Sequence, residues 1–152
     1  VVSPDSGRVR VADIWADRLA TPLAIVHKRR DPDKPNQVQV NEIVGQVEGR
    51  DCLIVDDMID TGGTILAAAK ALKENGAARV IVAATHAVFS SPATERLSDP
   101  AIDAVVVTNT LPITPDKEFE SLHVLSIAPL ISKAIAAVFY DDSVNSLFPG
   151  HA

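Results

Sequence analysis

The sequence predicts an α/β fold with a mostly parallel sheet, and two observations carry that prediction. Short runs rich in Val, Ile, Leu and Ala alternate along the chain with stretches whose apolar residues recur at helical spacing. Several of these apolar runs are continuous, as in strands buried on both faces of a parallel sheet. The 152 residues, 47% of them hydrophobic, suffice for one domain, residues 1–152, with a sizeable core. No linker, repeat or low-complexity tract divides it.

Val1-Val2-Ser3 reads as a first strand that ends at Pro4-Asp5. Val11, Ile14, Trp15 and Leu19 then recur on one helical face, with core packing as the expected role of Trp15. Leu23 to Val26 is a second strand. Arg29 to Gln37 contains two prolines and mixed charges and reads as a mobile loop. Gln39 to Val47 resembles a short flap hairpin, broken by Gly49. Asp51 to Val55 is a buried strand in which Cys52 serves as a small core residue. Ile65, Ala68, Ala69 and Leu72 form the inner face of a helix closed by Asn75-Gly76. Val80 to Ala83 and Ala104 to Val107 add two strands, and a brief one lies around Val124-Leu125. Pro129 sits in the first turn of a last helix, with Leu130, Ala134, Ile135 and Val138 on one face. The expected architecture is a sheet of about five strands flanked by helices, with a small flap.

Composition excludes some functions. A net charge of −6 disfavours nucleic acid as a partner, because such binding needs a basic face. No apolar run reaches the roughly 18 residues of a membrane span. The single cysteine cannot form an internal disulfide, and the N-terminus lacks signal-peptide architecture, so the chain reads as cytoplasmic. It begins without Met, which suggests a piece of a longer gene product. Lys28-Arg29-Arg30 is the densest positive cluster in this acidic chain and suits a small anionic ligand.

The strongest chemical signal is the passage from strand to loop to helix between Cys52 and Leu72. Two acids, Asp56 and Asp57, precede Asp60-Thr61-Gly62-Gly63-Thr64. The glycines let the backbone approach an anion, the helix N-terminus points its free N–H groups at it, and Thr61 and Thr64 add hydroxyl donors. The acids would repel a phosphate placed on them. They fit a ligand whose other end carries hydroxyl donors or bound Mg²⁺, as a sugar phosphate does. The plain alternative is a turn with Asp60 or Thr61 as a helix N-cap, but a cap requires one such residue and this stretch has three acids, two threonines and two glycines. It is not a Walker A loop, since no Gly-Lys-Ser or Gly-Lys-Thr follows.

Ile54 to Thr64 resembles the phosphoribosyl-binding motif of the type I phosphoribosyltransferase fold. That motif is shared by many transferases and by the diphosphokinases that make their common substrate. Val1-Val2-Ser3-Pro4-Asp5-Ser6-Gly7 and Lys28-Arg29-Arg30 are similar to segments of the ribose-phosphate diphosphokinases, as are Gly49-Arg50-Asp51 and Ala84-Thr85-His86. The similarity runs on to Ser143 to Phe148, where Asn145 departs from the family's more usual Ser at a regulatory phosphate site.

The resemblance implies the C-terminal half of such an enzyme and a reaction of ribose 5-phosphate with Mg·ATP that yields 5-phosphoribosyl 1-diphosphate and AMP. It implies that Asp56, Asp57, Asp60, Thr61, Gly62, Gly63 and Thr64 bind the sugar phosphate, and that Asp5 helps hold Mg²⁺. Lys28 and Arg30 would be catalytic, closing over the phosphates, with Arg30 also a substrate contact. It further implies a homo-oligomer, hexameric in the family, and little or no turnover by this piece alone. His86 reads as structural. The competing possibilities are a phosphoribosyltransferase, which leaves the basic cluster and Ser3-Pro4-Asp5 unexplained, and a non-catalytic relative, in which the acids or the basic cluster should have decayed.

Overall fold

The computed structural model describes residues 1–29 and 40–147, with residues 28, 29, 40 and 41 described as backbone only. Its centre is a seven-stranded sheet in the order β3-β2-β1-β4-β5-β6-β7. The strands are β1 (Val2–Ser3), β2 (Ala24–Arg29), β3 (Val40–Val44), β4 (Asp51–Ile59), β5 (Arg79–Ala87), β6 (Ala104–Thr108) and β7 (Leu122–Leu125). All neighbours pair in parallel except β2 and β3. The C-terminal ends of the parallel strands therefore share one edge, where ligands of open α/β sheets bind.

Among the described residues four α-helices connect or flank the strands: α1 (Val9–Leu19), α2 (Gly63–Glu74), α3 (Ala93–Leu97) and α4 (Ala128–Phe139). The core forms where β4, β5 and β6 lie side by side, with Ile54, Val80, Val82, Val105 and Val107 wholly buried. Helix α2 adds Ile65, Ala68, Ala69 and Leu72, the face its apolar spacing predicts. Gly76, at φ +83°, ends that helix in the left-handed conformation expected of it. Cys52 is buried, and desolvation pushes its thiol pKa up.

The fold class holds, and three details differ. The described sheet has seven strands instead of about five, because the brief segment expected around Val124-Leu125 pairs with β6 and the residues of the expected flap pair with β2. The flap is not a self-contained hairpin. Its residues pair antiparallel with β2, from Ile25↔Val44 to Arg29↔Val40. Gly45 makes this close approach possible: its φ is +120°, and a Cβ there would lie 2.9 Å from Ala24 Cβ.

The third difference concerns what the helices bury. On α1 the buried residues are Ala12 and Ala16, while Trp15 is 42% exposed, against the expectation of core packing. On α4 no residue is buried, and Leu130, Ile131, Ile135, Val138 and Phe139 all face outward. Helical periodicity marks an apolar face without naming what covers it. The expected mobile loop from Arg29 to Gln37 lies, beyond Arg29 itself, outside the described residues.

Candidate functional site

Strand β4 runs four residues further than its apolar composition suggests, because β5 supplies a partner as far as Ile59↔Ala87. Asp56 and Asp57 thus belong to the strand and not to the loop after it. The amides of Val88 and Phe89 both donate to the Ile59 carbonyl at 3.1 Å, fixing the strand's end. Only Asp60, Thr61 and Gly62 separate it from α2.

Gly62 stands at the N-cap with φ +71°, and no side chain caps the helix. The plain reading of Asp60 or Thr61 as a cap is therefore set aside. The first helical hydrogen bond runs from the Leu66 amide to the Gly62 carbonyl at 2.9 Å. The amides of Gly63, Thr64 and Ile65 consequently have no acceptor within the helix. Asp56 and residues 58–65 line a cavity of about 180 Å³. Uncapped amides, two threonine hydroxyls and a positive helix end make it suited to an anion. Larger hollows of about 290 and 400 Å³ lie at the opposite edge of the sheet, around Val47 and Arg50, far from these groups.

Two arginines outside the motif organise the site. Arg96 of α3 donates from Nη1 to the Thr61 carbonyl at 2.9 Å. In a trans peptide the carbonyl and the following N–H point in opposite directions, so this bond turns the Gly62 amide away from α3. A Cβ on Gly63 would come within 3.4 Å of the same Nη1, and one on Gly62 within 3.6 Å of Leu97 Cγ. The glycines let the loop lie close against α3.

Arg8, at the N-cap of α1, lies 3.0 Å through Nε from Asp56 Oδ1 and 2.6 Å through Nη2 from Asp57 Oδ1. Each of these oxygens also accepts a backbone N–H at 2.8 Å, Asp56 Oδ1 from Asp57 and Asp57 Oδ1 from Met58. Burial, aided by the hydrogen bond with Asp57, pushes Asp56 up to about 6 against the pull of Arg8. Asp57 is held low: burial opposes this, but its hydrogen bond to Asp56 and the charge of Arg8 prevail.

Asp5 shapes the turn that delivers Arg8. Its Oδ1 accepts the Gly7 amide at 2.8 Å, and its carbonyl accepts the Ser3 hydroxyl at 2.7 Å. Since β1 pairs with β4, this turn sits next to the acidic pair. On the far side, His86 Nδ1 meets Thr110 Oγ1 at 2.9 Å, consistent with a structural histidine. Lys28 has its backbone at the C-terminal end of β2, on the same edge of the sheet, and Arg30 lies outside the described residues.

The structure therefore assembles Asp56, Asp57 and residues 60–64, with Asp5 joined to them through Arg8. Sequence reasoning missed Arg8 and Arg96, which lie 48 and 35 residues from their partners Asp56 and Thr61. Nothing local marks either one.

Among the described residues no group of three His, Cys, Asp or Glu side chains could hold a metal ion. Mg²⁺ characteristically uses one or two carboxylates together with substrate phosphates and water. Asp5, Asp56, Asp57 and Asp60 supply carboxylates at this edge of the sheet.

A family described as the phosphoribosyl synthetase-associated domain matches residues 32–149. A ribose-phosphate pyrophosphokinase of Streptomyces coelicolor is 62% identical over 148 residues, which cover 97% of this chain and 46% of the relative. One from Mycobacterium tuberculosis is 58% identical over 153 residues, covering 100% of this chain and 47% of the relative. The crystal structure of phosphoribosylpyrophosphate synthetase from Mycobacterium smegmatis superposes with a TM-score of 0.83 at 55% identity, over 92% of this chain and 44% of that one. The chain thus spans about half the length of the relatives it matches. The expected placement in the C-terminal half is not retained: the family match covers residues 32–149 of this chain, and the shares give a length and not an end. By the family match and these relatives, the chain belongs to the ribose-phosphate pyrophosphokinase family.

Proposed function

We propose that the longer protein containing this chain transfers the diphosphoryl group of Mg·ATP to the C1 hydroxyl of ribose 5-phosphate, and that this chain holds the sugar phosphate. The observation that carries the reading is the uncapped N-terminus of α2 set directly beyond an acidic strand end. The 5-phosphate would take the amides and hydroxyls of residues 61–64. The ribose hydroxyls would donate to Asp56 and Asp57, with Asp60 at the mouth of the cavity.

In the reaction the C1 oxygen attacks the β-phosphorus of ATP. The bond from that phosphorus to the oxygen bridging to the α-phosphorus breaks, AMP leaves with the electron pair, and the hydroxyl proton is lost. Mg²⁺, when bound, neutralises charge on the phosphates, and Asp5 is the residue proposed to hold it. Such transfers depend on positioning and on cations around the developing charge. Lys28 and Arg30 are proposed for that role, with Arg30 also a substrate contact.

The remaining ATP-binding parts belong to the rest of the protein, so this piece alone should be essentially inactive. Assembly as a homo-oligomer, hexameric as in the family, and a cytoplasmic location complete the reading. The decisive experiment supplies full-length protein with ribose 5-phosphate and Mg·ATP and identifies the nucleotide product. AMP is expected. ADP would mean an ordinary kinase, and no nucleotide product would favour a phosphoribosyltransferase or a non-catalytic relative.

A further inference from the structure

Arg8 answers to none of the roles given so far, yet it contacts both members of the acidic pair. An isolated surface ion pair would contribute little. This contact differs in its distribution. The guanidinium takes Oδ1 of Asp56 and Oδ1 of Asp57, and these are the two oxygens already occupied by backbone amides. Apart from the hydrogen bond between the two carboxyl groups themselves, no donor among the described residues reaches Oδ2 of either acid. One oxygen of each carboxylate is thus fixed from inside the fold; Asp56 lines the cavity, and Asp57, next to it in β4, is the more exposed of the two.

The placement of Arg8 is itself built. Asp5 ties down the Gly7 amide and the Ser3 hydroxyl, and β1 seats the turn beside β4. A guanidinium can engage two carboxylates at once because its donors diverge in a rigid plane, which a lysine ammonium cannot reproduce. Two neighbouring carboxylates also repel, and a shared cation permits both to keep their orientation.

We propose that Arg8 is a positioning residue for sugar recognition, locking Asp56 and Asp57 so that their two remaining oxygens accept hydrogen bonds from adjacent hydroxyls of a pentose. The inference rests on the reading of this cavity as a ribose 5-phosphate site and adds the group that sets its selectivity. A lone carboxylate reads one hydroxyl. A locked pair reads a vicinal diol, and so distinguishes ribose from 2-deoxyribose.

The test uses full-length protein, with KM and kcat measured for ribose 5-phosphate and 2-deoxyribose 5-phosphate through AMP release. Arg8→Ala should raise KM for ribose 5-phosphate by about tenfold, the scale of one charged hydrogen bond, with a smaller fall in kcat. The preference for ribose over 2-deoxyribose should shrink by a similar factor, because the pair no longer presents both oxygens together. Arg8→Lys should fall between the two, and it serves as the test if Arg8→Ala does not fold. Wild-type KM and wild-type preference in whichever variant is tested would overturn the assignment, as would an equal loss for both sugars. Absence of AMP from the wild-type protein would overturn the ribose 5-phosphate reading and this inference with it. AMP formation with an unaltered sugar preference in the variants would overturn the inference alone.

Discussion

Two strand-loop-helix units begin alike and end differently. β4 runs through a short loop into α2, and β7 runs through Ser126 into α4, both at the C-terminal edge of the sheet. Both helices have 12 residues and an apolar face. In the first unit, five helix residues are buried and the strand is paired on both sides. In the second, the strand lies at the sheet's edge and no helix residue is buried, with Ile135 64% and Phe139 78% exposed. The unit that carries the glycine-threonine loop is the one the core holds rigid. A loop that aims amides at a ligand must keep its geometry before the ligand arrives, and a packed helix supplies that constraint.

The contrast can be broken first at its strongest point. Leu72→Ala removes a wholly buried side chain from α2 and should cost about 2–5 kcal/mol in urea-induced unfolding. A loss below about 1 kcal/mol, less than any buried Leu→Ala change leads one to expect, would mean that α2 does not anchor the loop.

The next effect is local to the loop. Arg96→Ala frees the Thr61 carbonyl and with it the orientation of the Gly62 amide, so KM for ribose 5-phosphate should rise about tenfold. The melting temperature should fall only slightly, because Arg96 makes this bond near the surface. An unchanged KM would show that the glycines alone set the loop.

A third, smaller effect is set by pH. Asp56 accepts its proton at about 6, so ribose 5-phosphate should bind more weakly as pH falls through that value, by about fourfold between pH 7 and 5.5 for one titrating group. Stability should move the other way. The folded state keeps this proton up to about 6, whereas the unfolded chain releases it in the ordinary carboxylate range. The group's stabilising contribution is thus complete below that range and is lost as pH rises through about 6. Replacing Asp56 with Asn should flatten both profiles, which titrations of KM and of thermal stability would register.

The smallest effect belongs to the second unit. Ile135→Ala on α4 should change the stability of this piece by less than about 0.5 kcal/mol, as exposed substitutions do. Measured in the full-length protein by the same urea titration, a cost well above that would show that α4 gains a cover outside this chain and would sharpen the contrast into one of location.

Much of this was legible in the residues. The period of Ile65, Ala68, Ala69 and Leu72 fixed both a helix and its inner face, since side chains three and four apart share one side of any α-helix. The crowding of Asp60 to Thr64 between a strand and a helix marked a loop with free amides, because those amides and glycine flexibility belong to the chain itself. Periodicity could not tell α2 from α4, nor foresee that Trp15 would stay exposed, since it records that a face is apolar and not what lies opposite. The extension of β4 through Asp57 was hidden for a similar reason: a strand continues where a neighbour offers partners, and Ala84 to Ala87 lie nearly 30 residues on. Arg8 and Arg96 reach their partners only across such separations. The sequence alone determined the elements and the character of the loop, because those follow from bonds and contacts between near neighbours. The tertiary structure alone decided which charges meet at the acidic pair and which apolar faces find cover, because those depend on distant segments arriving at the same place.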